Sequence, residues 1–213
     1  YYVNSGGPSA NSGMLTAGSV ISNSATLYIF VESPLLNGCT DENTFDITIN
    51  HTPVLAPVSD LNACRSYTLP ALAVGNYYTA ANASGTMMNA GDVITTSQEI
   101  FVYAVTNSTP ACPVEASFTV TIIDIEADAP TAVTACDSYV LPALTIGNYY
   151  VNSGGPSANS GMLTAGSVIS NSATLYIFVE SPLLNGCTDE NTFDITINHT
   201  PVLAPVADLN ACR

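Results

Sequence analysis

The chain has 213 residues, 47% of them apolar, with 17 acids against 2 bases and a formal net charge of −15. Such a surface repels phosphate, which argues against nucleic-acid binding and against docking on anionic membranes. There is no lysine, so lysine-to-asparagine isopeptide crosslinks are excluded; no apolar run approaches the ~18–20 residues of a membrane span, and no membrane insertion is expected.

The chain opens on Tyr1-Tyr2 and the glycine-rich stretch "NSGGPSANSG" (Asn4–Gly13), which returns unchanged at Asn152–Gly161. Residues 1–65 recur as residues 149–213 with one change, Ser59 to Ala207. A weaker period lies inside this one. "CRSYTLPALAVGNYY" (Cys64–Tyr78) matches "CDSYVLPALTIGNYY" (Cys136–Tyr150), and "EASFTVTI" (Glu115–Ile122) matches "ENTFDITI" (Glu190–Ile197). The unit is therefore about 74 residues, and two unlike units alternate. The expected domains are a truncated Ig-like repeat lacking its first strand, with its linker (1–63), two whole repeats (64–135 and 136–211), and the start of another (212–213). The expected setting is a segment of a longer tandem array.

Each unit reads as all-β. Phe45, Ile47 and Ile49 alternate with polar residues, as do Phe118, Val120 and Ile122, and Phe193, Ile195 and Ile197. Period two with one apolar face predicts a strand covering a core. "EIFVYAV" is apolar on both faces and predicts an interior strand. "SYTLPAL" contains Pro70, which restricts it to an edge or a bulge. Six or seven short strands per unit predict small Ig-like β-sandwiches in an extended string. The linkers 50–63, 124–135 and 198–211 each contain proline, which stiffens them.

Six cysteines stand at two repeat positions: Cys64, Cys136 and Cys212 begin units, and Cys39, Cys112 and Cys187 follow about 50 residues into them. The favoured pairs are Cys64–Cys112 and Cys136–Cys187, each inside one unit, with Cys39 and Cys212 pairing outside the window. The alternative, Cys39–Cys64 and Cys112–Cys136, crosses the linkers. A zinc site is disfavoured, because no CxxC occurs and the histidines are His51 and His199 alone. A disulfide framework implies an oxidising, extracellular setting.

No enzyme is expected. Ser5 and Ser153 sit in Ser-Gly-Gly-Pro, the sequence around the nucleophile of trypsin-like proteases, but the residue before each is Asn and no histidine precedes Ser5. The sister unit carries "TAANASG" (Thr79–Gly85) at this place, three residues shorter and without Ser-Gly-Gly. The motif reads as a hairpin loop of variable length, and Ser153, Gly154, Gly155 and Pro156 are candidates for a contact loop on every second repeat. No cofactor is expected. Asp124, Glu126 and Asp128 are weak calcium candidates beside a linker, and Asp41, Glu42, Asp189 and Glu190 cluster next to cysteines. In the tyrosine pairs Tyr1-Tyr2, Tyr77-Tyr78 and Tyr149-Tyr150, strand alternation predicts one ring inside and one outside.

The phrases "CDSYVLPALTIGNYY", "AGDVITTSQEIFVYAV" and "CTDENTFDITI" resemble the tandem repeats of very large surface and secreted proteins of Bacteroidota, over the whole chain. That resemblance implies export by the type IX, gliding-motility-associated route, a cell-surface location and an adhesin or filament role. The expected function is then a stalk or filament segment, whose partners are neighbouring repeats and other copies in a fibre. A repeated weak binding module for a glycan or another surface ligand is the second reading.

Overall fold

A computed structural model describes residues 1–205 apart from Ser12, Asn37, Asn159 and Ser160. Nearly all its regular structure is strand. In the first repeat a single helical turn, α1 (Gly7–Ala10), precedes β1 (Ala25–Glu32) and β2 (Thr40–Ile47). The second contributes β3 (Leu61–Cys64), β4 (Tyr67–Thr68), β5 (Asn76–Tyr78), β6 (Met87–Met88), β7 (Val93–Ile94), β8 (Gln98–Val105) and β9 (Pro113–Ile123). The third follows the same plan with β10 (Val133–Cys136), β11 (Tyr139–Val140), β12 (Asn148–Tyr150), the turn α2 (Gly155–Ala158), β13 (Met162–Leu163), β14 (Val168–Ile169), β15 (Ala173–Glu180) and β16 (Thr188–Asn198).

The second and third repeats share one topology. Each has a five-stranded sheet, β3-β9-β8-β5-β6 or β10-β16-β15-β12-β13, and a two-stranded sheet, β4-β7 or β11-β14. The first strand pairs in parallel with the last: Leu61 to Cys64 lie opposite Val120 to Ile123, and Val133 to Cys136 opposite Ile195 to Asn198. The other strand pairs are antiparallel, such as β12 with β13 and β15. β8, apolar on both faces, sits between β9 and β5. β4 stops before Pro70, which has no amide proton to give a ladder.

The chain packs as two compact units, each discontinuous in sequence. One comprises Tyr1–Ser59, Pro70–Ala90 and Glu99–Phe118, and the other Asp60–Leu69, Gly91–Gln98 and Thr119–Arg213. In the first, Leu27, Tyr77, Ile100, Val102 and Phe118 are buried, and Tyr77 meets Phe118 edge-on at 6.4 Å. In the second, Leu141, Tyr149, Leu175, Ile177, Phe193 and Ile195 form the core, flanked by Val133, Ala135 and Tyr139. The alternation of Phe193, Ile195 and Ile197 thus becomes a buried row along β16.

Two expectations change. Tyr149 and Tyr150 are both buried. Tyr149 packs against Phe193 and donates its hydroxyl to Pro142 O at 3.3 Å. Tyr150 lies on the other face, edge-on to Phe178 at 6.2 Å, the ring that Gly155 of α2 also approaches. Burial raises the Tyr149 phenol above its ordinary value. The disulfide pairing also changes: the structure joins Cys64 to Cys187, so neither Cys64–Cys112 nor Cys136–Cys187 forms. Strand length gives the reason. Cys187 stands at the head of the eleven-residue β16 and Cys136 lies opposite Asn198 at its far end. Eleven residues of strand span roughly 36 Å, whereas disulfide-bonded Cα atoms lie within about 7 Å. The parallel first strand carries its cysteine to the end of its own repeat, where the next repeat begins.

Candidate functional site

The junction built around Cys64 and Cys187 gathers the most chemistry among the described residues. The S–S distance is 2.08 Å and the Cα atoms are 5.3 Å apart, across a sequence separation of 123. Pairing of β3 with β9 places Cys64 opposite Ile123. Arg65 follows with φ of 63°, and its amide donates to Ile123 O at 2.9 Å. This left-handed turn directs the guanidinium to Asp189, two residues beyond Cys187, in an ion pair. Asp189 Oδ2 also accepts the Ala127 amide at 2.9 Å, and Asn191 Nδ2 donates to Ala127 O at 2.9 Å. The Ala127 amide and then Arg65 hold the Asp189 carboxyl below its ordinary value. Cys187 is buried, and Ala127 with it. The third repeat is therefore fastened to the end of the second by a covalent bond, an ion pair and hydrogen bonds through Ala127 and Asp128.

The remaining described cysteines are free. Cys39 and Cys136 are exposed, and Cys112 is half-buried. Cys212 lies outside the described residues.

The Ser-Gly-Gly loop is held by a carboxylate rather than by a catalytic base. Ser153 Oγ donates to Glu190 Oε1 at 2.5 Å and the Gly154 amide to Glu190 Oε2 at 2.7 Å. Ser5 and Gly6 bind Glu42 in the same way, at 2.6 and 2.8 Å. The Ser5 hydroxyl and then the Gly6 amide hold the Glu42 carboxyl below its ordinary value. A serine that donates a hydrogen bond to a carboxylate, beside a glycine amide that donates to the same group, has the geometry of a loop clamp. Gly155 has φ of 56°, and a Cβ there would come within 2.4 Å of the Phe178 ring; the glycine lets the loop close on that ring. Of the four candidate contact residues, Gly155 is buried while Ser153, Gly154 and Pro156 are exposed.

The acids do not converge. Among the described residues no three His, Cys, Asp or Glu side chains group to hold a metal. Asp124 and Glu126 are exposed, and Asp128 Oδ2 accepts the Thr145 amide at 2.5 Å. Arg65 lines the same cleft as Asp124, Glu126 and Asp189, and its charge opposes a cation there. His51 and His199 are exposed. Asp137 binds Thr200 through its amide at 2.7 Å and its hydroxyl at 2.6 Å, which lowers the Asp137 carboxyl.

Reading the sequence for sites missed Arg65, Ala127 and Asn191 at the junction, and the clamp role of Glu42 and Glu190. One signal was present: in a chain with two bases, an arginine directly follows a cysteine, and an acid stands two residues after Cys187.

No family model matches the chain, and no curated protein matches it. Solved structures similar to it include Protocadherin Gamma B2 extracellular cadherin domains 1–5, at 12% identity and a TM-score of 0.27, covering 82% of this chain and 45% of that one. Domains 3–6 of the same protein give 14%, 0.33, 76% and 55%. Mouse clustered PcdhgC3 EC1–3 gives 11%, 0.29, 87% and 79%. The chain spans about half the length of the first two. At such scores the likeness carries no argument about activity or partners. The topology and the site define the class: an all-β protein of tandem Ig-like sandwich repeats, with consecutive repeats joined by a disulfide.

Proposed function

We propose that the chain is a stretch of the stalk or filament of an extracellular bacterial surface protein, with a mechanical rather than a catalytic role. The observation that carries this reading is the placement of the Cys64–Cys187 bond between repeats instead of inside one. A staple within a sandwich stabilises that sandwich. A staple between sandwiches limits how far one repeat turns against the next, which is what a load-bearing string of modules needs. The near-identical return of residues 1–65 at an offset of 148 supports the same reading, since identical modules set length rather than build one unique pocket. A disulfide also favours an oxidising compartment outside the cell. The type IX, gliding-motility character of the protein rests on the sequence resemblance to Bacteroidota repeats.

Small-angle scattering tests the stalk reading. A compact globule of 213 residues has a radius of gyration of about 17 Å. An extended array gives a value well above that, with a rod-like distance distribution. A value near that of the globule overturns the proposal.

A further inference from the structure

The loop between β15 and β16 carries an asparagine-glycine pair beside the disulfide. Asn-Gly occurs twice in the chain, at Asn37-Gly38 and at Asn185-Gly186. Asn185 and Gly186 form the corner of a turn, which the Cys187 amide closes by donating to Leu184 O at 3.1 Å. Both corner residues are exposed. Gly186 has φ of 81°, and a Cβ built on it would meet nothing within 4 Å. No side chain of its own shields the Gly186 nitrogen, and the space beside it is open. The next residue is Cys187, buried in its bond to Cys64.

A carboxylate stands on that nitrogen. The Gly186 amide donates to Glu180 Oε1 at 2.8 Å. Such a hydrogen bond lies near the peptide plane. It draws on the proton that the nitrogen must lose to act as a nucleophile, and it leaves the two faces of the nitrogen free. At this distance a carboxylate is within reach to serve as a general base. The second repeat lacks both parts. The Ser181 amide donates to Cys187 O at 2.8 Å, and the Thr106 amide to Cys112 O at 3.3 Å. In that register Pro110 and Ala111 replace Asn185 and Gly186, and Val105 replaces Glu180.

We propose that Asn185 is a site of spontaneous succinimide formation, with Glu180 as the base. The Gly186 nitrogen attacks Asn185 Cγ. The N–Cγ bond forms and the Cγ–Nδ2 bond breaks. The proton leaves the Gly186 nitrogen through Glu180 and departs with Nδ2 as ammonia, and no electrons pass to or from another species. The chain has no lysine to open the ring, so water opens it, at one carbonyl to aspartate and at the other to isoaspartate. Isoaspartate routes the backbone through the side chain, one methylene longer, directly before Cys187. Either product sets a new negative charge in the loop that holds Glu180, and like charges repel. The joint between the second and third repeats thus carries a slow chemical timer that the corresponding loop of the second repeat lacks. This goes beyond the stalk reading and does not depend on it.

The test incubates the whole oxidised chain in warm neutral buffer and follows isoaspartate by enzymatic methyl labelling and by electron-transfer mass spectrometry. Digestion without reduction separates the two Asn-Gly sites, because the Asn185 fragment stays linked to the Cys64 fragment while the Asn37 fragment carries the free Cys39. Asn185 should convert ahead of Asn148, Asn152 and Asn191, none of which precedes glycine. Glu180→Gln keeps an oxygen to accept the amide but loses the charge, and should slow conversion about tenfold or more. In concentrated urea the contact is gone, so the variant and the unaltered chain should convert at the same rate. No conversion at Asn185, an unchanged rate in Glu180→Gln under native conditions, or a slowing that persists in urea overturns the proposal.

Discussion

Breaking the Cys64–Cys187 bond is expected to destabilise the third repeat more than any other single change among the cysteines. The bond closes a separation of 123 residues. In the chain-entropy treatment a loop of that length is worth about 5 kcal/mol. If the second repeat stays folded while the third unfolds, only the residues from the end of β9 to Cys187 are released, and the figure falls to about 4 kcal/mol. The exposed part of the junction adds little: the Arg65 side chain is 53% exposed, and ion pairs of that kind contribute less than about 1 kcal/mol. The variants are Cys64→Ser, Cys187→Ser and the double replacement, each compared with the oxidised chain by urea denaturation. All three should lower the stability of the third repeat by a similar amount, because each removes the same bond. Cys112→Ser and Cys136→Ser should leave the transition in place in monomeric protein, since both residues are free in the structure. A loss on Cys112→Ser equal to that on Cys64→Ser would refute the inter-repeat bond and restore pairing within one repeat.

Gly155→Ala is expected to cost about 2–4 kcal/mol, from the left-handed backbone and the collision with Phe178 together. Gly161→Ala, which meets nothing within 4 Å, should change stability by less than about 0.5 kcal/mol, and thermal melts of the two variants compare them. The Glu42 clamp predicts a pH dependence. Its carboxyl is lowered in the folded chain, so the contribution is full above the unfolded value and lost as pH falls through the lowered folded one. An amide-resonance titration should show Gly6 losing its bond to Glu42 below the ordinary glutamate range; a midpoint at or above that range would contradict the clamp.

The strands were legible because alternation is a local property. Phe193, Ile195 and Ile197 declare a buried face without knowledge of what covers it, and Pro70 restricts its strand to an edge or a bulge. The repeat added the strand count and the placement of the variable loop. The cysteine pairing was not legible, because spacing along the chain measures separation within a repeat but not which end of the sandwich a residue reaches. That depends on the parallel register of the first strand on the last, and no short pattern announces it. The tyrosine pair at Tyr149-Tyr150 failed for a related reason. Alternation assigns the two rings to opposite faces, but whether the second face is covered depends on distant residues such as Phe178, which packs on Tyr150. The Ser-Gly-Gly loop was identified as a turn from its glycines, while its glutamate clamp lies 36 or 37 residues away and left no local trace.

The position after the first cysteine separates the two kinds of repeat. It is Arg65 in one and Asp137 in the other, and the residue two places after the second cysteine is Asp189 in one and Val114 in the other. A cation meets an anion where the second repeat hands over to the third. By sequence position, a handover from a repeat of the third kind to one of the second would set an aspartate and a valine at these two places. Dissolved salt screens the first kind of joint and has no opposed charges to screen in the second. An array alternating these repeats would therefore carry two classes of hinge, and ionic strength would loosen one class and spare the other, so that the bending repeat distance of the fibre would become two modules rather than one.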